Sequence, residues 1–293
     1  MQLFTHRFGG VLAVAAVMLI AAGCATSTDA STVSPGDVPI TAAPAPLPSI
    51  TEPPVPVTTS EPPATHGPSE TPGPLPLAGR VIVIDPGHNG RNAQHLEETT
   101  KLVDIGNGTK PCNSTGTASA GGFSEAELNW QVALRTREAL AALGANVVLT
   151  RLDNDGWGPC ITERAAVGNR VEADAAVSIH ADGGPADGRG FHVIHPAFVP
   201  GLTDDIAAPS LQLARSLRAS MAETAMPVAD YIAVDGFSER SDLGGLNLSD
   251  IPAVFLEMGN MKNAEDAALL ADAGFQQEVA AAIARALSTF LER

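Results

Sequence analysis

Four residues of this chain combine a chemically useful type with a telling position. His88 follows Asp85, Pro86 and Gly87 at the abrupt end of the apolar run 81–84, His180 ends the run 175–179, and Glu257 ends the run 252–256. A polar residue that closes such a run falls just past the carboxyl end of a central strand, the edge of an open α/β sheet where ligands bind. Glu125 instead opens a helical pattern, but a helix that follows a parallel strand begins at the same edge. Two imidazoles and a carboxylate are the three-ligand set of a catalytic zinc site, which keeps a water in its fourth position. The second carboxylate could then serve as a base. Each residue alone has a plainer reading: Glu125 as a first-turn acid favoured by the helix dipole, His180 as a hydrogen-bonded strand-end histidine, Glu257 as an ion-pair partner, His88 as a loop hydrogen-bonder. It is their meeting on one rim that points to a site. His192 and His195 are rival ligands, but on a strand they face opposite ways, so at most one could join. A structural role is expected for both, and for His95.

The elements that must position these residues are legible as patterns. Val81 to Ile84 are β-branched with no polar alternation, which suits a strand buried on both faces. Strand-like runs recur at 80–85, 145–150, 175–179, 190–195 and 252–256, alternating with helical patterns. That alternation predicts an α/β fold: one domain with a mainly parallel central sheet and helices on both faces. The first helix runs over 125–143, with Leu128, Val132, Ala139, Leu140 and Leu143 on one stripe and Gly144 as its stop. Ser124 caps it and Glu127 completes a capping box. Further helices are expected at 163–172, at 210–224 and through Val279, Ile283, Leu287 and Phe290, with loop over 200–209. The stretch 89–123 reads as one long loop rich in Gly, Asn, Thr and Ser, of the kind that is functional or disordered.

Composition divides the chain in three. Residues 1–24 read as a secretory leader: Arg7 without an acid, then the apolar run 11–22, too short to span a bilayer comfortably. It ends Ala-Ala-Gly-Cys, which resembles the lipobox of bacterial lipoproteins and would make Cys24 the lipidated first residue, a membrane anchor. The alternative is cleavage near Ala25 and free secretion. Residues 25–78, dominated by Pro, Ser, Thr and Ala, are expected to be a disordered, extended linker. Residues 79–293 are globular, roughly 215 residues, enough for one sizeable core. A net charge of −16 and a pI near 4.7 argue against nucleic acid as partner. With Cys24 assigned to lipid, Cys112 and Cys160 make a single pair in an exported protein, where disulfides persist. A cysteine nucleophile would need a base beside it, and none is identifiable.

Taken in order, the segments VIVIDPGHNG, EAELN with Glu125 four residues before Asn129, VLTR ending at Arg151, TERAAVGN with Arg164 and Asn169, SIHAD and PAVFLEMGNMKN carry a resemblance. Over residues 80–292 the chain is similar to the zinc-dependent N-acetylmuramoyl-L-alanine amidases of the type 3 family. The resemblance implies that His88, Glu125 and His180 are zinc ligands and that Glu257 is the catalytic acid and base. It implies hydrolysis of the amide between N-acetylmuramic acid and L-alanine, with peptidoglycan or muramyl peptides as substrate. Asn260 departs from the pattern, which usually has a large apolar residue there. The chain is expected to be an exported monomer of the cell envelope, anchored through Cys24 or else secreted. Two rivals are a non-catalytic peptidoglycan-binding protein, which would not need Glu257, and a cell-wall metallopeptidase cutting another bond. The latter would have to use the same dispersed ligands, since the sequence has no His-Glu-x-x-His.

Overall fold

Strand β1 (Val81–Pro86) lies between two parallel neighbours, and the rest of the sheet extends from it. The computed structural model describes residues 73–292. The leader, Cys24 and most of the linker lie outside the described residues. In chain order the elements are β1, α1 (Leu96–Thr99), β2 (Leu102–Asp104), β3 (Thr109–Pro111), α2 (Glu125–Ala142), β4 (Asn146–Leu149), α3 (Ile161–Arg170) and β5 (Ala175–Asp182). They continue with β6 (His192–Pro196), α4 (Ala207–Met221), β7 (Phe237–Arg240), α5 (Gly244–Asn247), β8 (Ala253–Asn260), α6 (Ala264–Ala271) and α7 (Ala273–Leu291). The main sheet has six strands in the order β4-β1-β5-β8-β6-β7. β4, β1, β5 and β8 pair in parallel, β6 runs antiparallel to β8, and β7 is parallel to β6. The fold is thus the mainly parallel α/β domain that the alternation of patterns predicts.

Because strand side chains alternate between faces, each central strand feeds two cores. Ile82, Ile84, Val177, Ile179, Val254 and Leu256 face the larger one, closed by Leu128 and Val132 of α2, Leu213 and Leu217 of α4, and Val279 and Ile283 of α7. The opposite face is more thinly covered. There Val83 packs with Val167 of α3, and Ala253 and Phe255 pack with Leu246 of the one-turn α5. By the same alternation Asp85, His180 and Glu257 project from this second face; Arg164 of α3 reaches Asp85, while His180 and Glu257 are left facing open space. That is where the cleft opens.

Several boundaries differ from the sequence expectation. α3 begins at Ile161 rather than 163, because the Glu163 carboxylate accepts the backbone N–H of Cys160, at 2.8 Å, and caps the turn there. α4 starts at Ala207, so Pro209 falls inside its first turn, where a missing N–H costs nothing. The stretch 89–123 is not one irregular loop. It holds a 3-10 turn at Asn92–Gln94, α1 and the antiparallel β2–β3 ribbon. Cys112 and Cys160 are joined by a disulfide across a sequence separation of 48. Beside it Ile161 donates its N–H to the Cys112 carbonyl at 2.8 Å. Asn260, where a large apolar residue would be usual, is fully buried and donates from Nδ2 to the carbonyls of Pro185 and Gly188, both at 2.7 Å. It ties the 185–188 loop to the end of β8 by hydrogen bonds.

Candidate metal centre

The turn after β1 is built to present His88. His88 itself has φ of 60°, a left-handed conformation uncommon outside glycine and often found at functional sites. Two buried arginines hold the turn by its carbonyls. Arg164 donates to Pro86 O at 2.8 Å and His88 O at 2.6 Å, and Arg151 donates to Pro86 O at 2.9 Å. Behind them Asp85 accepts from Arg164 at 2.6 Å and from Thr150 and Ser178 at 2.5 Å each. Burial raises the Asp85 pKa, but Arg164 and the two hydroxyls outweigh it and hold the carboxyl at about 2. Arg151 is lowered to about 10, by burial first and then by the Arg164 charge, and stays protonated.

On this frame three donors converge. His88 Nε2 lies 3.0 Å and His180 Nδ1 2.9 Å from the same Glu125 oxygen, and the candidate ligand atoms of the three residues fall within 4.8 Å of one another. His88 Nδ1 faces the Ser114 carbonyl at 3.1 Å. A carbonyl can only accept, so Nδ1 donates to it, and Nε2 is the nitrogen turned toward Glu125 and the metal position. The His180 ring stacks on Phe255, 5.3 Å between centroids, which fixes its plane. Glu125 sits in the first turn of α2, whose N-cap Ser124 accepts the Glu127 N–H. Its second oxygen accepts from the Thr117 N–H at 2.9 Å. Burial opposes its charge, yet His88 and His180 keep the Glu125 carboxyl well below the ordinary glutamate range.

Two glycines leave room for this arrangement. A β-carbon at residue 87 would lie 2.1 Å from the His180 ring, and one at Gly116, whose φ is +73°, would lie 2.8 Å from Glu125 and 2.9 Å from His88. The donor set therefore fits a resident divalent ion: two imidazoles and one carboxylate, in a cradle that tolerates no side chain at either glycine. Glu257 is paired in register with His180 across β5–β8 and lines the same cleft, with Asp182 and Arg240 beside it. Burial, then the Glu125 and Asp182 charges, push its carboxyl well above the ordinary range, and Arg240 opposes them.

His88, Glu125, His180 and Glu257 are thus brought to one cleft, while His95, His192 and His195 stay out of the cluster. His95 stacks on Trp157. His192 is opposite Glu257 in the β6–β8 pairing but is buried, and burial lowers its pKa. His195 is buried, with Nδ1 on the Pro196 carbonyl. Pattern reading assigned no task to Arg151, Arg164, Asp85 or Gly116. Their signal was present only as motif membership, in VLTR, TERAAVGN and DPGH.

A family described as N-acetylmuramoyl-L-alanine amidase matches residues 82–289. The chain is 44% identical over 219 residues to an N-acetylmuramoyl-L-alanine amidase of Mycobacterium tuberculosis, covering 74% of this chain and 89% of that one. Among solved structures it is similar to the N-acetylmuramyl-L-alanine amidase Ami1 of Mycobacterium smegmatis, with a TM-score of 0.70 and 42% identity over 73% of this chain and 98% of the other. The apo form of Ami1 from Mycobacterium abscessus gives a TM-score of 0.69 at 40% identity, over 73% of this chain and 100% of that one.

Proposed function

Because the chain belongs to the N-acetylmuramoyl-L-alanine amidase family, we propose that it hydrolyses the amide between the lactyl group of N-acetylmuramic acid and the L-alanine of the stem peptide in peptidoglycan. His88, Glu125 and His180 hold zinc, and Glu257 moves the proton. The observation that carries this reading is the convergence of three metal-type donors on one point of a cleft whose wall also holds Glu257. When bound by these three residues, zinc would supply Lewis acidity toward the scissile carbonyl and would lower the pKa of water enough for attack near neutral pH. The chain's own residues do the rest. The buried arginines fix the His88 backbone, Phe255 and Gly87 fix the His180 ring, and the Thr117 N–H and the imidazoles keep Glu125 ionised. Glu257 takes the proton of the attacking water and returns it to the leaving amine. The enzyme acts at the cell envelope, with the leader carrying it out of the cytoplasm and an acyl group on Cys24 holding it at the membrane.

Glu257→Gln decides between an enzyme and a peptidoglycan-binding protein that holds zinc. Glutamine keeps the shape but exchanges no proton, so zinc content and peptidoglycan binding should persist while turnover falls at least about a hundredfold. Turnover is read by mass spectrometry as newly exposed L-alanine amino termini on purified peptidoglycan. A chelator should abolish it and zinc restore it, and His88→Ala or His180→Ala should strip the metal. Near wild-type cleavage by Glu257→Gln would remove Glu257 from its role. Binding without cleavage by the wild type would favour the binding protein, and cleavage at another bond the metallopeptidase.

A further inference from the structure

The chain has two tryptophans. Trp130 is half-buried under the Arg151 guanidinium, 5.0 Å from its ring centroid. Trp157, in the loop between β4 and α3, is 42% exposed. The His95 imidazole stacks against it with 5.4 Å between centroids and 21° between planes, and Leu96 and Leu152 are exposed nearby in the chain. A large aromatic held in solvent on a backing ring is a surface prepared for something to lie on.

Its position ties it to the metal centre. Gly158 donates its N–H to the buried Asn92 Oδ1 at 2.9 Å, and Asn92 Nδ2 donates at 2.7 Å to the Ser114 carbonyl, the group that also faces His88 Nδ1. Arg164 Nη2 donates both to His88 O at 2.6 Å and to Gly158 O at 2.9 Å. On the other side Gly156 O accepts from the Arg91 N–H at 2.9 Å. Trp157 is therefore fixed to the same hydrogen-bonded frame as the metal ligand. Its charged neighbours in the chain are mostly acidic: Asp153 and Asp155 beside it, Glu97 and Glu98 beside His95. Such a surface repels an anionic lipid headgroup or an acidic peptide and suits a neutral polyol, whose hydroxyls the carboxylates can accept while its C–H face covers the indole.

We propose that Trp157, backed by His95, is a stacking platform for a sugar ring of the glycan strand that carries the scissile amide. The inference rests on the amidase reading, since the amide is attached to muramic acid and the neighbouring sugars must lie beside the cleft. Trp157 binds substrate here and takes no part in the proton transfer.

The probe is a neutral N-acetylglucosamine tetramer, titrated against the zinc-loaded protein with tryptophan fluorescence as readout. Trp157→Ala should raise the dissociation constant about tenfold, with Trp157→Phe regaining most of the loss. On polymeric peptidoglycan Trp157→Ala should raise KM by a similar factor, with kcat on a single-sugar muramyl peptide unchanged. The indole N–H resonance of Trp157 in the wild-type protein, identified by its loss in Trp157→Phe, should shift on titration. That last measurement does not depend on how well the alanine variant folds. An unshifted resonance, or tetramer binding by Trp157→Ala at wild-type strength, overturns the proposal. So does an equal loss on the single-sugar substrate, which would mark a structural role. Saccharide binding is measured without turnover, so failure of the amidase reading would appear separately, as bound glycan with no cleavage.

Discussion

Asp85 and Arg164 form an ion pair 2.6 Å long, with side chains 14% and 5% exposed, directly behind the turn that carries His88. Breaking such a pair from one side leaves an uncompensated buried charge, which typically costs about 3–5 kcal/mol. Arg164→Met should therefore lower the denaturant midpoint strongly. It should also weaken metal binding, because the Pro86 and His88 carbonyls lose their donor. The pair has a pH signature as well. The Asp85 pKa is lowered from 3.8 to about 2, so folding gains on the order of 2 kcal/mol from its ionised form. A depressed carboxylate contributes fully above its unfolded pKa and loses the contribution as pH falls toward its folded one. The loss should run from just above pH 4 down to about pH 2, and acid unfolding of Asp85→Asn should lack that component. An unchanged acid transition would show that the pair adds nothing. His88, His180 and Glu257 were legible in the sequence because a strand end writes itself as an apolar run closed by a polar residue. Arg151 and Arg164 were not, because most of their partners are backbone carbonyls of the β1 turn and of other segments distant in the chain, and carbonyls leave no mark on residue type.

Among the elements, the segment between β1 and α2 shows best why pattern reading stops where it does. β2 and β3 are three residues each and α1 is four, too short for either the strand or the helix period to appear. The same holds for β7 and α5, at four residues each. α2 and the central strands were readable because each is long enough to repeat its pattern, and α2 in addition carries its cap. The segment matters because its far end passes Gly116 over the metal donors. Gly116→Ala would place a methyl group 2.8 Å from the Glu125 carboxylate at a φ of +73°, adding about 1 kcal/mol of left-handed strain to the clash. The clash falls on a metal ligand, so zinc affinity should drop at least about tenfold, read as residual zinc after dialysis against a competing chelator. Gly121→Ala in the same segment, whose β-carbon would lie 3.8 Å from the Ser119 hydroxyl, is the control and should keep its zinc. If both variants retain metal equally, the cradle is looser than the distances indicate.

On the scale of the whole molecule, the sheet's two unequal faces decide where chemistry can occur. α2, α4 and α7 seal one face with a continuous apolar core, while α3 and α5 leave the carboxyl edge of the other open. The alternation of strands and helices announced the parallel sheet. The reversal at β6 was not legible, since a run such as 190–195 carries no sign of its direction. Composition alone speaks for residues 1–72, and there the expected outcome is an acyl group on Cys24. Cys24→Ala should move the protein from the membrane to the soluble fraction, whereas a mature chain that begins unmodified at Ala25 would refute the anchor. The disulfide links the remaining scales. Cys112 lies two residues before Ser114, whose carbonyl faces His88, and Cys160 caps α3, which carries Arg164. Closing a loop across a separation of 48 residues is worth about 4 kcal/mol in the chain-entropy model. For a domain of roughly 215 residues that corresponds to about 8–16 °C in Tm. Replacing both cysteines by alanine should lower Tm by that order and loosen zinc binding along with it, since the bridge holds the Ser114 segment against the helix that positions the His88 turn. A thermal scan with zinc content measured on the same sample tests both effects. A large drop in Tm with zinc fully retained would confine the bridge to stability, and an unchanged Tm would remove it from both roles.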